Sequence, residues 1–428
     1  MSSVEVVAHA PQLRGSLRVP GDKSTSHRAL MLSALAHGES TITGLSPGED
    51  VAATSAIVQQ LGATRRDDDG VVYLTGPSEG LHASDQELDC ENSGTSMRLL
   101  CGLVASIPGR HRLIGDASLS RRPMDRVAIP LGLMGVDLQG QGITSTAPIE
   151  ITSPLKLQAL DYRVPVASAQ VKSAILLAAL FADGESHVRE DVRTRRTTED
   201  MLQSAGVDVS SDDVGQGRDV RVRPGRPRRH DWHVPGDPSQ AAFFAVLGAI
   251  HPDASLEVLN VEASVERVGF VGVLERMGAD VRLDERDTFH VLHSRSSSLV
   301  GTEIHAHDVP SVDEVPVLTV AAAAARGVSA FRSMGELRHK ESDRFAGSMA
   351  LAMSLGCRVW SDGDDFFVEG LGSAERFLEF TFHGGLDHRM VMASAVAGCA
   401  GRGVTIDGAA TVSSSYPHFF RDLGLLHE

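Results

Sequence analysis

Long, almost unbroken apolar runs recur along the chain and alternate with stretches in which apolar and polar residues share each turn. Ala174–Leu180, Ala241–Ile250 and Val315–Ala325 are apolar all round. A helix without a polar face must be buried on every side. The second class ends at a glycine: Leu61-Gly62-Ala63, Met134-Gly135-Val136, Ala205-Gly206-Val207, Met277-Gly278-Ala279 and Leu355-Gly356-Cys357. These read as amphipathic helices stopped by a C-terminal glycine. Strand, polar turn and strand then follow in several copies, as in Val207–Val222 and Val359–Val368, which predict β-hairpins.

The openings of the apolar runs also match one another. Val19-Pro20-Gly21-Asp22 returns as Val234-Pro235-Gly236-Asp237, with Ser24 and Ser239 following at the same offset. Asn92-Ser93-Gly94-Thr95, Ser168-Ala169-Gln170, Asp313-Glu314 and Asp387-His388 introduce the other runs, and such residues cap helix N-termini. A degenerate last marker stands at Leu423-Gly424-Leu425. The chain therefore predicts six β-α-β-α-β-β units with a period of roughly seventy residues. The expected fold is a two-domain, inside-out α/β barrel, three units per domain, with buried helices and sheets outside. A strand near Leu13–Val19 precedes the first unit, so the two Pro-Gly segments read as matching crossovers. The expected domains are residues 1–20 with 236–428, and residues 21–235.

Composition narrows the setting. The 428 residues are too many for one ordinary core, and 42% hydrophobic with 22% charged residues suits a globular chain. No signal-like start is visible, and Val315–Ala325 is too short to span a bilayer, so a cytoplasmic protein is expected. Cys90, Cys101, Cys357 and Cys399 lack metal-site spacing and read as buried or idle thiols. A net charge of −16 argues against general affinity for nucleic acid or anionic membrane. An anion-binding site in such a protein must gather its cations locally.

Helix openings are where anions bind, because free N–H groups and the helix dipole converge there. Gly21-Asp22-Lys23-Ser24-Thr25-Ser26-His27-Arg28 places Ser24 and Arg28 on one helical face, and Asp22 breaks any P-loop reading. Gly94 permits close backbone approach to a ligand. Arg121-Arg122-Pro123-Met124 adds guanidiniums beside a fixed bend. Asp313 stands at the mouth of an apolar helix, where burial would raise its pKa and the dipole lower it; the sequence leaves both open. Lys340-Glu341-Ser342-Asp343-Arg344 is expected to set Lys340 and Arg344 on one face, and Asp387-His388-Arg389 opens the sixth run. Lys23, Arg28, Arg122, Lys340, Arg344 and Arg389 thus collect at helix openings. Like charges at about 4 Å repel by about 4 kcal/mol per pair at an effective dielectric near 20, so a multiply charged anionic ligand is expected to bridge them. His305-Ala306-His307-Asp308 lacks a third well-spaced ligand and reads as loop or strand. Arg226-Pro227-Arg228-Arg229-His230 reads as a solvated linker.

In their order, these motifs closely resemble the 5-enolpyruvylshikimate-3-phosphate synthase family, over essentially the whole chain. The resemblance implies two domains closing on substrate. It implies transfer of the enolpyruvyl group of phosphoenolpyruvate to the 5-hydroxyl of shikimate 3-phosphate, releasing phosphate, with no metal or organic cofactor and a monomeric enzyme. By position, Lys23, Ser24, Arg28, Ser168, Ala169, Gln170, Arg195, Asp313 and Lys340 are implied shikimate 3-phosphate ligands. Lys23, Gly94, Arg122, Gln170, Arg344 and Arg389 are the implied phosphoenolpyruvate cage. Asp313 is implied as the base at the 5-hydroxyl, and Lys340 and Glu341, with Lys23, as the catalytic groups around a tetrahedral intermediate. Gly94 implies sensitivity to glyphosate. Ser413-Ser414-Ser415-Tyr416-Pro417, as in another bacterial branch, stands where one branch of the family has a lysine, and Leu386 precedes the last motif where the family often has a small or polar residue. The sister transferase acting on UDP-N-acetylglucosamine is the alternative; it carries a loop cysteine that Gly115–Arg122 lacks.

Overall fold

The computed structural model describes residues 3–426. Two compact units divide the chain: residues up to Asp22 with those from Pro235 onward, and Lys23–Val234. Twelve α-helices occur among the described residues: α1 (Lys23–Leu35), α2 (Glu49–Gln60), α3 (Gly94–Ala105), α4 (Asp125–Leu133), α5 (Ala169–Ala179), α6 (Thr197–Ser204), α7 (Pro238–Ile250), α8 (Gly269–Arg276), α9 (Val315–Ala324), α10 (Arg344–Ser354), α11 (His388–Ala400) and α12 (Phe419–Gly424).

The alternation of helix types follows the apolar pattern. Every residue of α7, α9 and α11 is buried, and α1, α3 and α5 are buried over nearly their whole length. The even-numbered helices bury one face only. In the Lys23–Val234 unit α3 packs on α1 and α5; in the other unit α7, α9 and α11 pack on one another. Complete burial of each Leu, Val or Phe contributes about 1.5–3 kcal/mol, so these helices add substantially to each core, which the inner faces of the sheets and the one-faced helices complete. Close approach is needed at the centre: a Cβ on Gly102 of α3 would lie 2.1 Å from the Ala174 carbonyl oxygen of α5.

Six small sheets surround the helices, as the sequence pattern predicts. Five share one order: a leading strand, a parallel neighbour, then a hairpin added antiparallel. Leu88–Asp89, Gly109–Ile114, Thr146–Ser153 and Asp137–Gln141 form one of them. The leading strands of the first and fourth repeats are exchanged along the chain. Asp231–His233 pairs in parallel with Gly38–Thr43, and Leu13–Leu17 with Ala254–Val261. The crossovers meet as an antiparallel bridge between Gly21 and Gly236, closed by Asp22 N–H to Pro235 O (2.7 Å) and Asp237 N–H to Pro20 O (2.8 Å). Buried Arg267 joins the repeat-equivalent Asp22 and Asp237, at 2.5 and 3.0 Å.

The sixth repeat has lost its hairpin. Its sheet has three strands, and the N-terminal strand Val4–Val7 pairs antiparallel with Val404–Asp407 in the missing position. All four cysteines are buried, and none is in a disulfide. No helix among the described residues is long and apolar enough to cross a membrane. Arg226 corrects the linker expectation: its Nε donates to Leu35 O at the end of α1 and its Nη2 to Pro77 O at 3.1 Å, so this segment is fastened to its unit.

Candidate active site

Within the Lys23–Val234 unit, the starts of α1, α3 and α5 carry the first group of expected site residues. Lys23 begins α1, and its ammonium lies 2.8 Å from Asp50, which sits in the first turn of α2. Ser24 Oγ accepts from Arg195 Nη1 at 3.1 Å. Arg28 reaches back to Ser24 O at 2.8 Å, in keeping with their shared face, and also donates to Ser173 Oγ and Thr198 Oγ1, both at 2.6 Å.

Gly94 begins α3, whose N-cap Ser93 accepts from Ser96 N–H. Arg122 belongs to the segment before α4 rather than to a buried-helix opening, but its guanidinium turns back to α3. Its Nη2 donates to Asn92 Oδ1 at 3.0 Å, and a Cβ on Gly94 would sit 2.9 Å from its Nη1. Ser168 caps α5 by accepting from Val171 N–H, with Ala169 and Gln170 following. The Gln170 side chain spans to α3, accepting from Arg98 Nη1 at 2.7 Å and donating to Thr95 Oγ1 at 3.0 Å. Sequence reasoning missed Arg98; its signal was the four-residue step from Gly94, one helical turn.

The second group lies in the other unit. Asp313 precedes α9, where buried Glu314 is the N-cap residue. Around the Asp313 carboxylate stand Arg344 Nη1 at 2.9 Å, Arg389 Nη2 at 3.4 Å and Lys340 Nζ at 3.8 Å. Lys340 also donates to Ser311 O at 3.1 Å. Glu341 lies 2.6 Å from Arg344 Nη2. Arg344 is fully buried, with Nε donating to Asp387 Oδ2 at 2.8 Å and Nη2 to Oδ1 at 3.1 Å. Asp387 in turn caps α11 by accepting from Arg389 N–H at 3.0 Å. In the serine-rich segment near the C-terminus, Ser414 Oγ lies 3.0 Å from His388 Nδ1.

Two expectations need correction. Lys340 and Arg344 do not share a helical face, because Asp343 caps a new helix that begins at Arg344, and Lys340 ends the preceding 3-10 turn. The gathered cations also do not wait for an external anion. Asp50 neutralises Lys23, while Asp313, Glu341 and Asp387 surround Arg344, Arg389 and Lys340.

The open question about Asp313 resolves through these cations. Burial pushes its carboxyl up, but Arg389, Lys340 and Arg344 outweigh burial and hold it well below the usual carboxylate range. Asp387 is likewise lowered, burial being outweighed by Arg344. Burial would lower the Arg344 pKa, but Asp387, Glu341 and Asp313 reverse that and raise it. No group of three or more metal-ligating side chains occurs among the described residues. His305 and His307 stack with ring centroids 4.9 Å apart.

Comparison with known proteins decides the family. The family model for EPSP synthase (3-phosphoshikimate 1-carboxyvinyltransferase) matches residues 7–423. The chain belongs to this family. A 3-phosphoshikimate 1-carboxyvinyltransferase of Anaeromyxobacter sp. (strain K) is 43% identical over 420 residues, covering 96% of this chain and 93% of that one. One from Streptococcus thermophilus is 38% identical over 427 residues, covering 98% of each. The solved EPSP synthase of Acinetobacter baumannii matches at a TM-score of 0.86 with 35% identity, covering 100% of this chain and 98% of that one. The enolpyruvyl transferase NikO of Streptomyces tendae, at 19% identity and a TM-score of 0.78, shares the fold. The chain is thus a carboxyvinyltransferase of the EPSP synthase family, and the UDP-N-acetylglucosamine alternative is not favoured.

Proposed function

We propose that the chain transfers the enolpyruvyl group of phosphoenolpyruvate to the 5-hydroxyl of shikimate 3-phosphate and releases inorganic phosphate. The observation that carries this reading is one carboxylate, Asp313, kept ionised by Arg344, Arg389 and Lys340 at the mouth of a buried helix. A trianionic substrate entering such a cage shares the guanidinium charges with Asp313. The field holding its carboxyl down then weakens, and the carboxylate gains basicity when a hydroxyl needs deprotonating.

Each residue has a role in this reading. Arg344 and Arg389, with Lys23, Arg122, Gln170 and the Gly94 backbone, hold phosphoenolpyruvate by its carboxylate and phosphate. Lys23, Ser24, Arg28, Ser168, Ala169, Gln170, Arg195, Asp313 and Lys340 bind shikimate 3-phosphate. Asp313 takes the 5-hydroxyl proton as the oxygen bonds C2 of phosphoenolpyruvate, while C3 gains a proton. Loss of a proton from C3 then expels phosphate and restores the double bond. Lys340 and Glu341 flank Asp313 and Arg344 and serve these two transfers at C3, with Lys23 as a further catalytic cation. Fixed cations neutralise the carboxylate and the phosphate that leaves, and need no reorganisation to do so, while the carboxylates of Asp313 and Glu341 offset the positive character that develops at C2. In this reading the enzyme's two domains, expected at residues 1–20 with 236–428 and residues 21–235, correspond to the two compact units, which divide between Asp22 and Lys23 and between Val234 and Pro235, and the enzyme acts as a monomer in the cytoplasm.

Phosphate release from phosphoenolpyruvate, measured alone, with shikimate 3-phosphate and with UDP-N-acetylglucosamine, tests the assignment. Release is expected only with shikimate 3-phosphate. Release driven by the nucleotide sugar would overturn it.

A further inference from the structure

A buried ion triad lies beneath the first group of site residues, in the apolar run that opens at Ser168. Lys172, one turn into α5, has a fully buried ammonium 2.8 Å from Glu190 and 2.7 Å from Glu199. The carboxylates come from different elements: Glu190 ends the strand Ser186–Glu190, and Glu199 lies in the first turn of α6. Replacing such a buried ionic cluster by apolar side chains is often neutral or stabilising, so core stability alone is a weak reason for it.

Its surroundings supply another reason. Glu190 accepts from the Thr194 hydroxyl, and from the Thr194 N–H at 3.4 Å. Buried Arg218 donates to Thr194 O at 2.8 Å. Thr194 is therefore gripped from both sides, and the next residue is Arg195, whose guanidinium reaches Ser24. On the other flank, Ser173 follows Lys172 and Thr198 precedes Glu199. Their hydroxyls lie 2.6 Å apart and both accept from Arg28. Two guanidiniums assigned to the acceptor thus hang on residues adjacent to the triad.

We infer that Lys172 is a positioning residue for the acceptor. Its ammonium pins the turn 191–196 and the start of α6 to α5, and so sets where Arg195 and Arg28 present their donors. The inference rests on the proposed reading of Arg28 and Arg195 as shikimate 3-phosphate ligands.

Steady-state kinetics of the full chain test it, with thermal midpoints recorded for each variant. Lys172→Met should raise KM for shikimate 3-phosphate about tenfold or more while KM for phosphoenolpyruvate stays within about twofold, since a misplaced charged hydrogen bond is worth about that factor. Thr194→Val leaves the triad intact, removes only the latch to the turn, and should raise the same KM about threefold. Should Lys172→Met fail to fold, Thr194→Val decides alone. Equal increases in both KM values, or an unchanged acceptor KM in Thr194→Val, would overturn the inference. Arg195→Ala separates the two layers. A normal acceptor KM in that variant removes the ligand reading itself, whereas a raised one beside a normal Thr194→Val removes only the role of the triad.

Discussion

Arg344 grips Asp387 with two prongs, Nε to Oδ2 at 2.8 Å and Nη2 to Oδ1 at 3.1 Å, and both side chains are buried. The same carboxylate caps α11, so one residue orients a site guanidinium and anchors the helix carrying Arg389. Asp387→Ala should lower unfolding free energy by about 3–5 kcal/mol, because it strands a buried cation and removes a cap. Urea titration gives the number. A loss under about 1 kcal/mol would mean that the pair is not tight.

Asp313 meets Arg344, Arg389 and Lys340 together. Asp313→Ala should reduce kcat by about 10²–10⁴-fold, the usual range for losing a positioned base. Turnover at the parent rate would remove Asp313 from the base role.

Gly94 faces Arg122 Nη1 and Arg98 Nη1, which an added Cβ would meet at 2.9 and 3.2 Å. The parent enzyme is expected to be inhibited by glyphosate, and Gly94→Ala to raise both the inhibitor concentration needed and KM for phosphoenolpyruvate. The shift should be about tenfold or more, since displacing one charged donor costs at least about 1.4 kcal/mol. Full parent activity at millimolar glyphosate would refute the first part, and inhibition curves that coincide for parent and variant the second.

A pH dependence of stability follows from His111. It is buried, its Nε2 donates to Ile107 O at 2.8 Å, and burial lowers its pKa more than that bond raises it. The unfolded chain, with a histidine pKa near about 6.5, then binds the proton more readily than the folded one. The stabilising contribution is full above that value and is lost as pH falls through the folded pKa. His111→Gln should therefore flatten the dependence of unfolding free energy on pH below about 6.5. Parallel curves for parent and variant would assign the acid sensitivity elsewhere.

Much of this fold was legible because its signals are local. An all-apolar helix such as α9 can only be interior, the caps at Ser93, Ser168 and Asp387 announce helix starts, and the glycine at Gly206 or Gly278 ends a one-faced helix. The candidate site residues were read partly from what stands at each opening and partly from the family resemblance. What stayed hidden depends on which openings are neighbours. Nothing in the spacing pairs Lys23 with Asp50 or Arg28 with Thr198, which lie 27 and 170 residues apart. Lys172 was read past because it lies in a largely apolar run, and its partners arrive only through the end of the strand Ser186–Glu190 and through α6. The four-residue step from Lys340 to Arg344 misled because Asp343 starts a helix between them.

The strand Val4–Val7 fills the place of a missing hairpin beside Val404–Asp407, and Leu13–Leu17 lies beside Ala254–Val261. On the ribosome, both segments emerge long before anything they pair with. Residues 23–234 can close their own core while synthesis continues, but Val4–Val7 stays without a sheet until Val404–Asp407 has left the exit tunnel. The order of manufacture and the order of assembly run in opposite directions for this half of the molecule.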